Sequence, residues 1–243
     1  MLVPSVAAGA VHELDLVRDA SIEALRHVCR SAPERVVVVG AGTVTAWHSV
    51  GTGSLHGFGV ELDVALDPAS PSPTHLPLAH TIGAWLLAAV GWPGERVALE
   101  LDPLADAGAL AALGEELVSA PMRTALLVVA DGSAARSEKA PASLHPQAAS
   151  FDAAVAAALR AGDPVALAAL DRDLASDVSA GGWPAWQVAA AASAGGAYDA
   201  SLLVEEAPYG VGYLVATWLA AGAAARVVDR GAPAAVSEPA RLP

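Results

Sequence analysis

The run Arg35-Val36-Val37-Val38-Val39, closed by Gly40-Ala41-Gly42-Thr43, is the stretch on which the fold turns. Four consecutive β-branched side chains favour an extended backbone, and the lack of apolar–polar alternation predicts a strand buried on both faces, as inside a parallel or mixed sheet. The two glycines that follow suit a tight turn. Upstream, Val11, Leu14, Val17, Ile22, Leu25 and Val28 recur at helical spacing until Ser31-Ala32-Pro33 ends the pattern. Downstream, Thr124-Ala125-Leu126-Leu127-Val128-Val129 predicts a second core strand that runs into Ala130-Asp131-Gly132-Ser133.

Between these strands the pattern alternates. Residues 45–67 predict a loop and a more exposed strand carrying Val60, Leu62 and Val64, followed by a proline-rich turn. Helices are expected over 78–90 and 104–117, with a short strand over 97–101. Residues 151–170 predict helix, broken at Gly162-Asp163-Pro164, where aspartate and proline suit a restart. Gly181-Gly182-Trp183-Pro184 predicts a turn before an alanine-rich helix, 201–204 a short buried strand, and 211–224 either a strand or a helix. The expectation is an α/β fold in three layers, a mostly parallel or mixed central sheet flanked by helices. One domain over 1–230 and a frayed tail over 231–243 complete it. The strands Val36–Val39, Leu126–Val129 and Leu202–Val204 are expected to be buried neighbours, with their following loops converging on one cleft at the carboxyl ends.

A formal net charge of −13 would repel phosphate backbones and anionic headgroups, which argues against nucleic acid and membrane partners. The two longest apolar stretches, 76–92 and 211–225, are shorter than the roughly 20 residues a spanning helix needs. With no export signal at the amino end, a cytoplasmic location is expected. Cys29 has no second cysteine to pair with and reads as a buried, inert thiol.

Two segments at the predicted strand ends carry a resemblance. Ala130-Asp131-Gly132-Ser133-Ala134, continuing through Ala140-Pro141, His145-Pro146 and Phe151-Asp152, is the first; Glu206-Ala207-Pro208-Tyr209-Gly210-Val211-Gly212-Tyr213 is the second. Together they resemble class III extradiol ring-cleavage dioxygenases of the subunit-B type (LigB-like) and their Memo-like relatives. The resemblance implies an α/β fold of that type and, in active relatives, a non-haem Fe(II) held by two histidines and a glutamate.

The same resemblance places an ancestral cleft at Gly42, Asp131, Ala134, Glu206 and Tyr209. Its second iron histidine falls on Gly42 and its base-like histidine on Ala134, neither of which can bind a metal or take a proton. Its first histidine falls just before Met1-Leu2-Val3-Pro4, through truncation or an upstream start codon. Glu206 is the iron-ligand equivalent that survives; it is expected either to stay wet or to pair with Arg136 or Lys139. No cofactor is therefore expected, and the leading expectation is a pseudoenzyme that binds a small aromatic ligand or a protein partner. Two alternatives stay open: a metal-dependent enzyme using substituted ligands or an upstream segment, and a subunit of a homo-oligomer or larger assembly.

Other polar residues have plainer readings. Gly40-Ala41-Gly42 lacks the third glycine of a dinucleotide fingerprint. His48, His56 and Glu61, with His75 and His80 further on, match no metal-ligand spacing and read as surface or packing residues. Trp183 and Trp186 read as packing between a loop and the core.

Overall fold

The computed structural model describes residues 2–7 and 12–221; the expected tail over 231–243, Val11 and the end of the 211–224 segment lie outside them. In chain order the helices and strands are α1 (Pro4–Ala7), α2 (Asp15–Cys29), β1 (Arg35–Ala41), β2 (Ala46–His48), β3 (Thr52–Ser54), β4 (Asp63–Ala65), α3 (Leu78–Ala89), β5 (Glu95–Leu101), α4 (Ala107–Ser119), β6 (Thr124–Val129), α5 (Ala148–Ala161), α6 (Pro164–Ala168), α7 (Arg172–Asp177), α8 (Trp183–Ala192), β7 (Tyr198–Glu206) and β8 (Tyr213–Ala220).

β1 lies in the interior of the main sheet, in the order β2-β5-β1-β6. It runs parallel to β5, with Val38 opposite Ala98, and parallel to β6, with Val38 opposite Leu127. β2 adds an antiparallel edge on β5, so the sheet is mixed. All four valines of β1 are fully buried, and they divide by parity between two cores. Val36 and Val38 face α2 and α3, among Leu25, Leu86 and Leu87. Val37 and Val39 face the other helical layer, among Leu110, Phe151, Trp183 and Trp186. The β1–β5 connection crosses one face through α3, and the β5–β6 connection returns across the other through α4.

Local chemistry sets the helix ends. Asp106 caps α4 by accepting from the Ala109 N–H, and Asp163 caps α6 from Val165 and Ala166, with Pro164 in the first turn. Gly162 ends α5 in the left-handed region at φ +62°. Both tryptophans are buried; Trp183 begins α8 rather than standing in a turn, and its Nε1 donates to the Leu170 carbonyl at 2.8 Å. Cys29 is half-buried, and burial pushes its thiol pKa up, which disfavours the reactive thiolate.

Two expectations need correction. The 201–204 segment is not a buried neighbour of β1 and β6: it belongs to β7, which pairs with β8 in a separate antiparallel hairpin. Along β7 the burial is uneven: Val204 is buried while Leu203 is 46% exposed. The strand expected over Val60, Leu62 and Val64 shrinks to Asp63–Ala65, because Gly59 at φ +77° ends a short 3₁₀ turn just before it. Residues 213–220 resolve the strand-or-helix ambiguity in favour of strand.

Candidate functional site

The carboxyl ends of β1 and β6 are neighbours in the sheet, so Gly42 and Asp131 stand at the same edge. Here the sheet opens into a cavity of about 1140 Å³, reached by Ala41, Asp131, Gly132, Gly212 and Tyr213. Asp131 contributes exposed surface, and that surface belongs to the cavity: the carboxyl is surrounded by protein, and burial raises its pKa. Tyr213 is raised by burial as well and further by the charge of Asp131.

Gly42 is occupied space. A Cβ added there would lie 2.2 Å from Oε1 of Glu100, a residue that is 4% exposed. Glu100 belongs to β5, two strand positions from Ala98, and its carboxylate turns across the end of β1. Oε1 accepts from the Thr43 N–H at 2.6 Å, from the Val44 N–H at 3.3 Å and from the Thr43 hydroxyl at 3.3 Å. Oε2 faces His48 Nε2 at 2.9 Å. Burial alone would raise the carboxyl pKa, but the Thr43 N–H, His48 and the Val44 N–H outweigh it, and the net shift is downward.

A folded-state pKa below the unfolded value means that this carboxylate adds stability above the ordinary glutamate range and loses it as pH falls through the depressed value. Wild type should therefore melt higher than Glu100→Gln near pH 7. The gap should close in acid, and melting curves from pH 7 to pH 3 measure it. A gap that stays constant across that range would mean the pairing is not ionic.

Beside Glu100, His80 is fully buried. Its Nε2 donates to the Leu99 carbonyl at 2.9 Å, which leaves the buried Nδ1 without a hydrogen-bond partner. Burial pushes its pKa down, so the ring is held neutral. The His48 and His80 rings lie 6.4 Å apart.

The two segments that carry the resemblance dock on each other. The Gly212 N–H donates to the Ser133 carbonyl at 2.8 Å, and the Arg136 N–H to the Gly210 carbonyl at 3.0 Å. Asp152 ties the junction from below. It is buried, accepts from the Ser133 N–H at 2.8 Å and from the Ser133 hydroxyl at 2.6 Å, and meets Arg136 Nη1 at 3.4 Å. The approach requires glycine twice. A Cβ on Gly212 would meet Asp152 Oδ2 at 2.3 Å, and Gly210 combines φ +75° with a 2.3 Å approach to Ser137 Oγ.

The remaining expected site residues scatter around this junction. Ala134 is half-buried and held by its backbone, its N–H on the Val178 carbonyl and its carbonyl receiving the Ala142 N–H. Glu206 ends β7, exposed, opposite Tyr213 in the hairpin register. Among the described residues it has no ion pair: Arg136 goes to Asp152, and the neighbouring Glu205 takes Arg160 at 2.6 Å. Tyr209 is a non-glycine residue in the left-handed region, at φ +57°, with its hydroxyl hydrogen-bonded to the Glu13 carboxylate, which raises the phenol pKa. Asp131 is the expected site residue that lines the cavity.

These residues do not fit an iron site of the facial-triad kind. Gly42 brings no ligand and no room for one, Glu100 is already engaged by four donors, and no three His, Cys, Asp or Glu among the described residues are grouped to hold a metal. Glu100 itself escaped the sequence reading. Its one signal was a carboxylate near the end of an otherwise apolar strand, Val97-Ala98-Leu99-Glu100-Leu101. Among the described residues no helix is long and apolar enough to cross a membrane. Comparison of the sequence with protein-family models and with curated proteins gives no match.

Proposed function

We propose that the chain is a pseudoenzyme of the class III extradiol dioxygenase type, which binds a small aromatic molecule at the carboxyl edge of its sheet without Fe(II). The observation that carries this reading is the Glu100 carboxylate seated over Gly42 and fixed by Thr43, Val44 and His48. In the proposed family an imidazole would project from that position; here the space is filled. The docking of residues 130–152 on 206–213 supports the same reading, since the two segments of the resemblance form one junction. Asp131 and Tyr213, both with raised pKa values, supply a carboxyl and a phenol toward which ring hydroxyls could hydrogen-bond.

Anaerobic reconstitution with Fe(II), followed by metal analysis and then by catechol and protocatechuate under air, tests the proposal. The expected result is substoichiometric iron and no ring-fission product. Stoichiometric iron with accumulating product would overturn it and favour a metal enzyme with substituted ligands.

A further inference from the structure

The cavity at the carboxyl edge of the sheet is polarised by one carboxylate. Among the described residues that line it, Asp131 and Arg123 carry formal charge. They stand at opposite ends of β6, Arg123 just before Thr124 and Asp131 just after Val129, so the strand holds them roughly 20 Å or more apart. Arg123 is engaged elsewhere: its guanidinium faces Glu34 and donates to the Ala32 carbonyl at 3.0 Å. No Lys, Arg or His side chain among the described residues pairs with Asp131, and Arg136, five positions along, is turned to Asp152.

The electrostatics at that end follow. Burial raises the Asp131 carboxyl by more than the positive charge of the amino terminus lowers it. The Tyr213 phenol is raised by burial and again by the charge of Asp131, so the two groups already oppose each other's ionisation. The chain around them has a formal net charge of −13. A second anion placed here would add to the repulsion, whereas a cation would relieve it at both groups.

The wall beside the carboxylate is apolar. A Cβ added to Gly40 would lie 2.5 Å from the Ala79 Cβ and 3.1 Å from the Val129 carbonyl oxygen, so the first turn of α3 is seated on the edge shared by β1 and β6. Leu78 and Ala79 of that turn line the cavity, as does Phe58 from the short 3₁₀ turn between β3 and β4. Leu78 and Phe58 are both exposed, which leaves apolar surface available to a ring.

We propose that the ligand of this cleft is an aromatic ammonium compound, a ring on a short arm that ends in a protonated amine, with Asp131 as its counter-ion and Leu78, Ala79 and Phe58 against the ring. This rests on the reading of the cleft as a small-aromatic site, and it narrows that site from aromatics in general to cationic ones. A hydrogen bond in which both partners are charged is about twice as strong as a neutral one, so at Asp131 an ammonium outcompetes a ring hydroxyl, which is left for Tyr213. An aromatic carboxylate, by contrast, finds no side-chain cation at this edge.

Calorimetric titration of the protein with three probes that share a phenol ring and a two-carbon arm tests this: tyramine, para-ethylphenol and para-hydroxyphenylpropionate, which differ in the charge at the end of the arm. Tyramine should bind tighter than para-ethylphenol by about tenfold or more, with the propionate weakest. Asp131→Asn keeps the shape and removes the charge, so it should bring tyramine to within about twofold of para-ethylphenol and leave para-ethylphenol unchanged. In the unaltered protein, added salt should weaken tyramine and spare para-ethylphenol, which keeps the test decisive if the variant misfolds. Equal affinity for the three probes, or a tyramine affinity indifferent to both Asp131→Asn and salt, overturns the inference while leaving the aromatic site intact. Failure of all three to bind overturns both. Retained iron with ring fission would sink the pseudoenzyme reading alone.

Discussion

Gly42→Ala should lower the melting temperature by about 5–15 °C, corresponding to about 2–4 kcal/mol, the range for overpacking combined with broken buried hydrogen bonds in a chain of this size. The added methyl would stand 2.2–2.5 Å from three atoms of the Glu100 side chain. That side chain could move aside only by releasing the Thr43 and Val44 N–H groups and His48. The effect should depend on its neighbour: with Glu100 cut back to alanine the clash disappears, so Gly42→Ala/Glu100→Ala should cost less than the sum of the single changes by about 1 kcal/mol or more. A double-mutant cycle on thermal or urea melts measures this. Additive costs would mean that the two positions do not share the same space.

Asp152→Ala should be at least as damaging, with a loss of about 3–5 kcal/mol, because it strands buried groups instead of merely crowding them. Removing the carboxylate leaves the buried Ser133 N–H and hydroxyl without acceptors, and Arg136 without its partner. It also loosens the junction against which Gly212 packs. Asp152→Asn keeps one acceptor and should recover part of the loss. Urea denaturation of the three proteins separates these outcomes, and an Asp152→Ala protein as stable as wild type would show that the junction is held by its backbone bonds alone.

Much of the scaffold was legible because its signals are local. Four valines in a row cannot share one wet face, and β1 is buried on both sides as that implies. The Asp163-Pro164 pair announces a helix start through capping chemistry, and α6 begins there. The hairpin was harder to read, because Ser201-Leu202-Leu203-Val204 has the composition of a core strand and nothing local says how many of its faces will find partners. Residues 213–220 were ambiguous because alanine and leucine suit a helix, while Val215 and Thr217, the buried pair two apart, suit a strand only once the packing is seen.

The site was less legible than the scaffold for a related reason. Gly42 was read as a lost side chain, and the sequence held no sign of what had moved into its place, since Glu100 is 58 positions away and reaches it only through the β1–β5 pairing. His48 read as a surface or packing residue, and its pairing with Glu100 follows from the antiparallel placement of β2 on β5. Gly210 and Gly212 stand out in the sequence only as parts of a motif, whereas their requirement comes from Ser137 and Asp152, side chains that the sequence alone does not bring near.

The Glu100 carboxylate over Gly42 has a further consequence for descent. Under the dioxygenase-like reading, an ancestor that carried histidine at position 42 could not have held the Glu100 side chain as it now lies. Once the carboxylate had settled there, with His48 and two backbone amides as its partners, a single codon change back to histidine at 42 would meet a filled space. Reversion then needs the Glu100 side chain to give up those partners as well. Under that reading the position would work as a ratchet, and its signature among related sequences would be association of glycine at 42 with glutamate at 100.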